Sequence, residues 1–197
     1  VIYDNQGIYS SPRAWWIFKV MGFHRVYVLD GGLPQWMAED RVTSSRYQEE
    51  GIDYGASDSE ELTAVLEYQP AKVMDAEAVL AKLDDSDSAI IDARGSARFL
   101  GQVSEPRPGV RSGHIPHSVN LPFGDVLNGF KIKDVAELVK LFQGLVSDKP
   151  LRIFSCGSGI TACILILASV AAGHTDAVLY DGSWADWGSR NDLPIER

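Results

Sequence analysis

The chain has little of what several familiar classes of protein depend on. Two cysteines in 197 residues cannot build a disulfide framework and suit a reducing compartment, the cytoplasm by default. Positive charge is in deficit: 18 Lys and Arg stand against 27 Asp and Glu, a formal net charge of -9. That balance argues against nucleic acid and against an anionic membrane surface as partners, since both need a basic face. Long apolar runs are scarce. The longest, Ala162 to Ala172, is about half of the ~20 residues that span a bilayer, so neither a membrane span nor a secretory leader is expected. What is present, 45% hydrophobic residues, can bury a sizeable core in one large domain, or in one domain plus part of another.

The stretch around which the rest is organised is Leu151-Arg-Ile-Phe-Ser-Cys156-Gly157-Ser158-Gly159-Ile160-Thr161, followed by the apolar run from Ala162. A β-rich run ends at a cysteine, a Gly-Ser-Gly loop turns the chain, and a segment of helical composition follows. Glycines at 157 and 159 let successive backbone N–H groups point inward as a nest, and the next helix is expected to start near Ile160 to Thr161. Both favour an anion at the Cys156 sulfur. A free thiol titrates near ~8.5 and one at a helix N-terminus near ~3.5–7.5, so Cys156 reads as a nucleophile, although a strand-end cysteine also serves as simple packing. Cys163, inside the helix, reads as structural.

In chain order, Val1 to Tyr3 reads as a strand opening without an initiator Met, as though cut in mid-strand. Ser11-Pro12 starts a helix that runs to Met21 and ends at Gly22. Val26 to Leu29 is a buried strand, Asp30-Gly31-Gly32 a turn, and a short helix surrounds Trp36. The same order returns far along the chain. Asp4 stands 152 residues before Cys156 and Gly7 the same distance before Gly159; Gly22 and Gly173, Asp30 and Asp181, Trp36 and Trp187 pair at 151. This agreement is an internal repeat, with Asp4 in the place of the nucleophile, so the first copy reads as non-catalytic. Residues 41–73, acidic at Glu49-Glu50, Asp58 and Glu60-Glu61, read as a linker with a solvated face.

The second unit begins near Val73. A helix follows Asp75, a buried strand covers Ala89 to Ile91, and a long loop carries Arg98, Glu105, Arg107 and His114. Ser118 to Leu121 is a short strand, a helix runs from Asp134 to Leu145, and Val178 to Tyr180 closes the sheet. Alternating strands and helices define an α/β layered fold with its working loops at the carboxyl ends of the strands.

Asp92-Ala-Arg94, Arg98-Phe99, Glu105-Pro-Arg-Pro-Gly109, Gly113-His-Ile-Pro116, Cys156-Gly-Ser-Gly-Ile-Thr161 and Asp181-Gly-Ser-Trp184-Ala-Asp-Trp187 together resemble the rhodanese superfamily, and within it the 3-mercaptopyruvate sulfurtransferases. Pro12-Arg-Ala-Trp-Trp16 extends the likeness. The resemblance implies a rhodanese-like parallel sheet flanked by helices: a complete catalytic domain at 74–197, a linker at 41–73, and at 1–40 the C-terminal half of an inactive domain whose front is missing. It implies that Cys156 takes sulfur from 3-mercaptopyruvate as a persulfide, releases pyruvate, and passes the sulfur to a thioredoxin-like thiol or to cyanide. Gly157, Gly159 and Ile160 would form the anion cradle with Ser158 and Thr161 as hydroxyl donors. Arg98 and Arg107 would hold the substrate carboxylate and keto oxygen. Neither a metal nor another cofactor is implied.

Several simpler readings stand beside these. A loop arginine is commonly solvated or paired with a surface acid such as Glu105, and His114 reads as a group that orients its loop through the backbone. Asp181 and Trp184 read as the pocket rim. His117 stands where the family has glycine, at a position suited to positive φ. A cysteine phosphatase would need arginine six residues after the nucleophile, where Ala162 stands. A thiosulfate-using rhodanese would carry basic residues in place of Gly157 and Ser158, and a non-catalytic rhodanese module would form no persulfide. The helix from Pro12 is expected to leave apolar area exposed and to promote self-association.

Overall fold

The structure, a computed structural model, describes residues 1–45, 67–146 and 149–197. Most of the expected linker, with its acidic pairs, falls in 46–66 and lies outside the described residues. The N-terminal segment holds α1 (Ser11–Val20) and α2 (Gly32–Ala38). Pro12 occupies the first turn of α1, where its missing N–H costs nothing, and Gly22 leaves the helix at φ 89°. From residue 73 the order is β1 (Val73–Met74), α3 (Ala76–Leu80), β2 (Ser88–Asp92), α4 (Ser96–Phe99) and β3 (Val119–Asn120). The hairpin strands β4 (Leu127–Asn128) and β5 (Lys131–Ile132) follow, then α5 (Val135–Val146), β6 (Leu151–Ser155), α6 (Ala162–Ala171), β7 (Ala177–Tyr180) and α7 (Ser183–Trp187). None of the described helices is long and apolar enough to cross a membrane.

Five strands form one parallel sheet in the order β1-β7-β6-β2-β3. Strands buried on both faces need apolar side chains on both, which is why β2 and β7 carry the apolar runs Ala89–Ile91 and Ala177–Tyr180, while β6 holds Ile153 and Phe154 beside a buried Arg152. The two-residue alternation of β6 then decides what faces where. Phe154 and Cys156 enter the core shared with α1, α5 and α6; Ile153 enters the opposite core, with Val79 of α3 and Trp184 and Trp187 of α7. Helix α6 is apolar all round, with Ala162 to Ile166 and Ala168 buried, because sheet, α5 and α1 enclose it. Each of its fully buried Ile and Leu side chains contributes about 1.5–3 kcal/mol.

The N-terminal segment packs into that same core through Ile8, Trp15, Trp16 and Val20. A parallel bridge joins Ile2 to Val28; at the repeat spacing these residues match Phe154 and Leu179, which pair between β6 and β7. Two aspartates at matching places tie the segments in opposite directions. Asp30 accepts the Ile132 N–H at 2.9 Å, and Asp181 accepts from Arg13 at 2.5 Å.

Candidate active site

Strand β6 sits centrally, and the chain passes from β2 outward to β3 before returning to β6. The order reverses between β2 and β6, the place where open parallel sheets form clefts beyond their carboxyl ends. Cys156 follows β6 directly. Its N–H donates to Ser183 Oγ at 3.2 Å, its carbonyl accepts from Trp184 N at 2.9 Å, and the Gly157 carbonyl accepts from Ala185 N at 3.0 Å. The turn after β7 thus holds the start of the cysteine loop, with Ser183 buried at φ 52°.

Beyond Cys156 the loop turns at Gly159, φ +78°, and α6 begins at Ala162 with no side-chain cap from Thr161. The amides of residues 157–162 find no acceptor among the described residues, and neither the Ser158 nor the Thr161 hydroxyl is bonded. Cys156 is 1% exposed, beneath the loop, because the β6 alternation that buries Phe154 buries it too. Cys163 donates to the Gly159 carbonyl at 3.2 Å, and burial pushes its thiol up to about 12. It is a protonated donor, in keeping with a structural role.

The matching loop of the N-terminal segment is already filled. The Asp4 carboxylate accepts N–H groups from Gln6 at 2.8 Å, Tyr9 at 3.0 Å, and Ser10 and Ser11 at 2.9 Å. At the repeat spacing three of these donors match Ser158, Thr161 and Ala162, whose amides are unbonded. Burial opposes the Asp4 charge, but the N–H donors together outweigh it and hold its pKa below the usual carboxylate value. Asp4→Ala is expected to cost about 1.5–3 kcal/mol in urea unfolding. The parent's advantage over the variant is full above the unfolded carboxylate pKa near ~3.9 and vanishes as pH falls through the lower folded value.

A pocket of about 170 Å³ opens on the other side of the cysteine loop, lined by Arg98, Glu105, Arg107, Gly157, Ser158 and Ala185 among others. A Cβ added to Gly157 would stand 3.1 Å from Arg98 Nη2, so glycine is what lets this guanidinium lie on the loop. Arg98 bonds both oxygens of Glu105, Nε to Oε1 at 3.2 Å and Nη2 to Oε2. That pairing matches the simpler reading in its partner but not in its setting. Glu105 is no surface acid: its side chain is 4% exposed and also accepts from Arg94 at 3.0 Å. Arg94, fully buried, forks onto Asp92, reaches the Gly113 carbonyl at 2.8 Å and lies 4.5 Å over the Trp184 ring. Alternating charges Asp92, Arg94, Glu105 and Arg98 leave no net charge and brace Arg98. Arg107 is exposed and its side chain makes no ion pair or hydrogen bond among the described residues.

The structure therefore brings Arg98, Arg107, Gly157 and Ser158 to one pocket; Gly159, Ile160 and Thr161 complete the loop, with Ile160 39% exposed. Trp184 is not at the rim. It is 1% exposed and donates to the Arg111 carbonyl at 2.8 Å, drawn into the core by the turn that brings Ser183 against Cys156. His114 Nδ1 donates to the Phe99 carbonyl at 2.9 Å with its ring stacked on Phe99, a loop-orienting role. His117 adopts φ 61°, the left-handed backbone expected of that position. Sequence reading missed Arg13, whose guanidinium reaches this loop from α1, and the burial of Glu105.

A parallel sheet between helical layers, with a cysteine loop at its central strand, defines the class. The chain belongs to the rhodanese-like domain family, whose model matches residues 1–39 and 75–190. Over 198 residues it is 37% identical to the 3-mercaptopyruvate sulfurtransferase of Escherichia coli K12, covering all of this chain and 67% of that protein. It is 39% identical over 211 residues to the mitochondrial thiosulfate/3-mercaptopyruvate sulfurtransferase 1 of Arabidopsis thaliana, again over all of this chain but 55% of the relative. The crystal structure of SseA from Escherichia coli, a 3-mercaptopyruvate sulfotransferase with the rhodanese fold, superimposes with a TM-score of 0.70 at 31% identity over 92% of this chain and 65% of that one. The chain spans between about half and two thirds of the length of these relatives.

Proposed function

We propose that this chain carries the catalytic part of a sulfurtransferase that uses 3-mercaptopyruvate. The Cys156 thiolate attacks the substrate sulfur, the carbon–sulfur bond breaks, and its electron pair leaves on carbon as the enolate of pyruvate, which takes up a proton. Cys156 retains the sulfur as a persulfide. An acceptor thiolate, from a thioredoxin-like dithiol or a small thiol, or cyanide, then attacks the outer sulfur and returns the Cys156 thiolate. The amides of 157–162, with Ser158 and Thr161, hold the sulfur anion, while Arg107 and Arg98 take the carboxylate and keto oxygen. The observation that carries this reading is the set of amides behind Cys156, beside Arg107, that have no partner among the described residues.

In this reading residues 74–197 are the catalytic domain, 41–73 a linker and 1–40 part of a second, non-catalytic copy. The matched pairs Ile2–Val28 and Phe154–Leu179 support the copy. A reducing compartment such as the cytoplasm suits two free cysteines and persulfide chemistry. Ile17 and Phe18 on α1, 48% and 43% exposed, support self-association of this chain. Thiosulfate is the second donor to consider, since the Arabidopsis relative's name includes it.

Incubation with 3-mercaptopyruvate should add one sulfur atom to the intact mass, with one pyruvate released per sulfur gained. No gain overturns the reading. Faster loading from thiosulfate than from mercaptopyruvate would reverse the choice of donor.

A further inference from the structure

Arg13 belongs to α1, yet its guanidinium lies at the carboxyl ends of β6 and β7. Nη1 meets Asp181 Oδ1 at 2.5 Å, and a Cβ added to Gly159 would stand 3.1 Å from Nη1, from the Asp181 carbonyl and from Asp181 Oδ1. Arg13 and Asp181 side chains are 27% and 49% exposed, and an ion pair this open contributes at most about 1 kcal/mol to stability. Its stability value is small; its placement is specific. A Cβ added to Gly157 would stand 3.1 Å from Arg98 Nη2, so the loop between the two glycines runs between two guanidinium groups, one from each segment.

We infer that Arg13 is a positioning residue for the cysteine loop: with Asp181 it clamps Gly159 in its left-handed turn and keeps the amides of 157–162 directed at the Cys156 sulfur. The inference rests on the proposed function only in taking Cys156 as the nucleophile. Arg98, from the segment after β2, lies on the loop at Gly157, and Cys163, from α6, donates to the Gly159 carbonyl. Arg13 and Asp181 meet the loop at Gly159, so Arg13 reaches the nucleophile through the loop and not by contact.

The test is the ultraviolet absorbance of the Cys156 thiolate against pH in the whole chain, taken as the difference from Cys156→Ser in each background. It needs neither a sulfur donor nor access to the buried sulfur. Arg13→Gln should lower the thiolate fraction at a given pH roughly tenfold, one pH unit in midpoint, and Arg13→Lys should recover only part, because an ammonium lacks the planar fork. The double variant Arg13→Gln with Asp181→Asn, which leaves the net charge as in the parent, should keep the effect. An unchanged midpoint in Arg13→Gln overturns the inference even if unfolding shifts, since a merely structural role moves only the latter. Recovery of the parent midpoint in the double variant also overturns it, by assigning the effect to the bare Asp181 charge. A shifted midpoint in a chain that takes no sulfur from mercaptopyruvate would sink the proposed reaction and leave the role of Arg13 standing.

Discussion

Cys156→Ser is expected to abolish sulfur capture, by at least about 10³-fold in rate, while the chain stays folded. A serine oxygen cannot accept sulfur in the displacement that a thiolate carries out, and no second nucleophile stands behind it. Cys163 is also buried, with its thiol pushed up to about 12 and engaged on the Gly159 carbonyl. The cost to the fold is modest. Cys156 is 1% exposed, and burying a hydroxyl there costs about 1–3 kcal/mol, reduced by any of the neighbouring amides that finds the new oxygen. Intact mass after mercaptopyruvate, with circular dichroism for the fold, checks both halves. Cys163→Ser is the control: a serine can donate to Gly159 as the thiol does, so capture should survive. Loss of capture in Cys163→Ser but not in Cys156→Ser would mean the nucleophile has been misassigned.

Arg94→Met should have the largest effect on stability. The arginine is fully buried between Asp92 and Glu105, whose side chains are 2% and 4% exposed. Removing it leaves Asp92 without a cation and Glu105 with Arg98 alone, a change that costs about 3–5 kcal/mol. In a chain of this size each kcal/mol moves Tm by roughly 2–4 °C, so a fall on the order of 10 °C is expected. The consequence continues outward, because Glu105 is also what Arg98 rests on. Loading from mercaptopyruvate should therefore require more donor even well below the melting range. Lysine should not rescue, since Arg94 meets Asp92, Glu105 and Gly113 with one planar group. A loss below 1 kcal/mol would show that the two carboxylates are relieved without the arginine.

The strands β2 and β7 and helix α6 were legible in the sequence because burial leaves an apolar run, and β6, interrupted by Arg152, because it leads into the cysteine loop, whose glycines have few other uses. The correspondence of Asp4 with Cys156 was legible as spacing. That the Asp4 carboxylate turns back onto its own loop was not, since no composition distinguishes an acid in solvent from one held by four N–H groups. Glu105 was misjudged for the same reason: a loop glutamate reads as exposed unless its two arginines are known to converge. The Arg13–Asp181 pair joins residues 168 apart in sequence, beyond any local pattern. Helix α4, one turn long, is too short for a period to register. The hairpin of β4 and β5 is a different case, for Asn128-Gly129, with Gly129 at φ 60°, is a turn signature that was there to be read.

The filled loop at Asp4 also gives the molecule an internal standard. Its amides are engaged by the Asp4 carboxylate, whereas those after Cys156, in the proposed reaction, are engaged only while an anion rests on the sulfur. Exchange of backbone hydrogens with deuterated solvent at Tyr9 and Ser10 therefore calibrates full occupancy, and the rates at Thr161 and Ala162 divided by it report what fraction of molecules carry charge at the second loop at any moment.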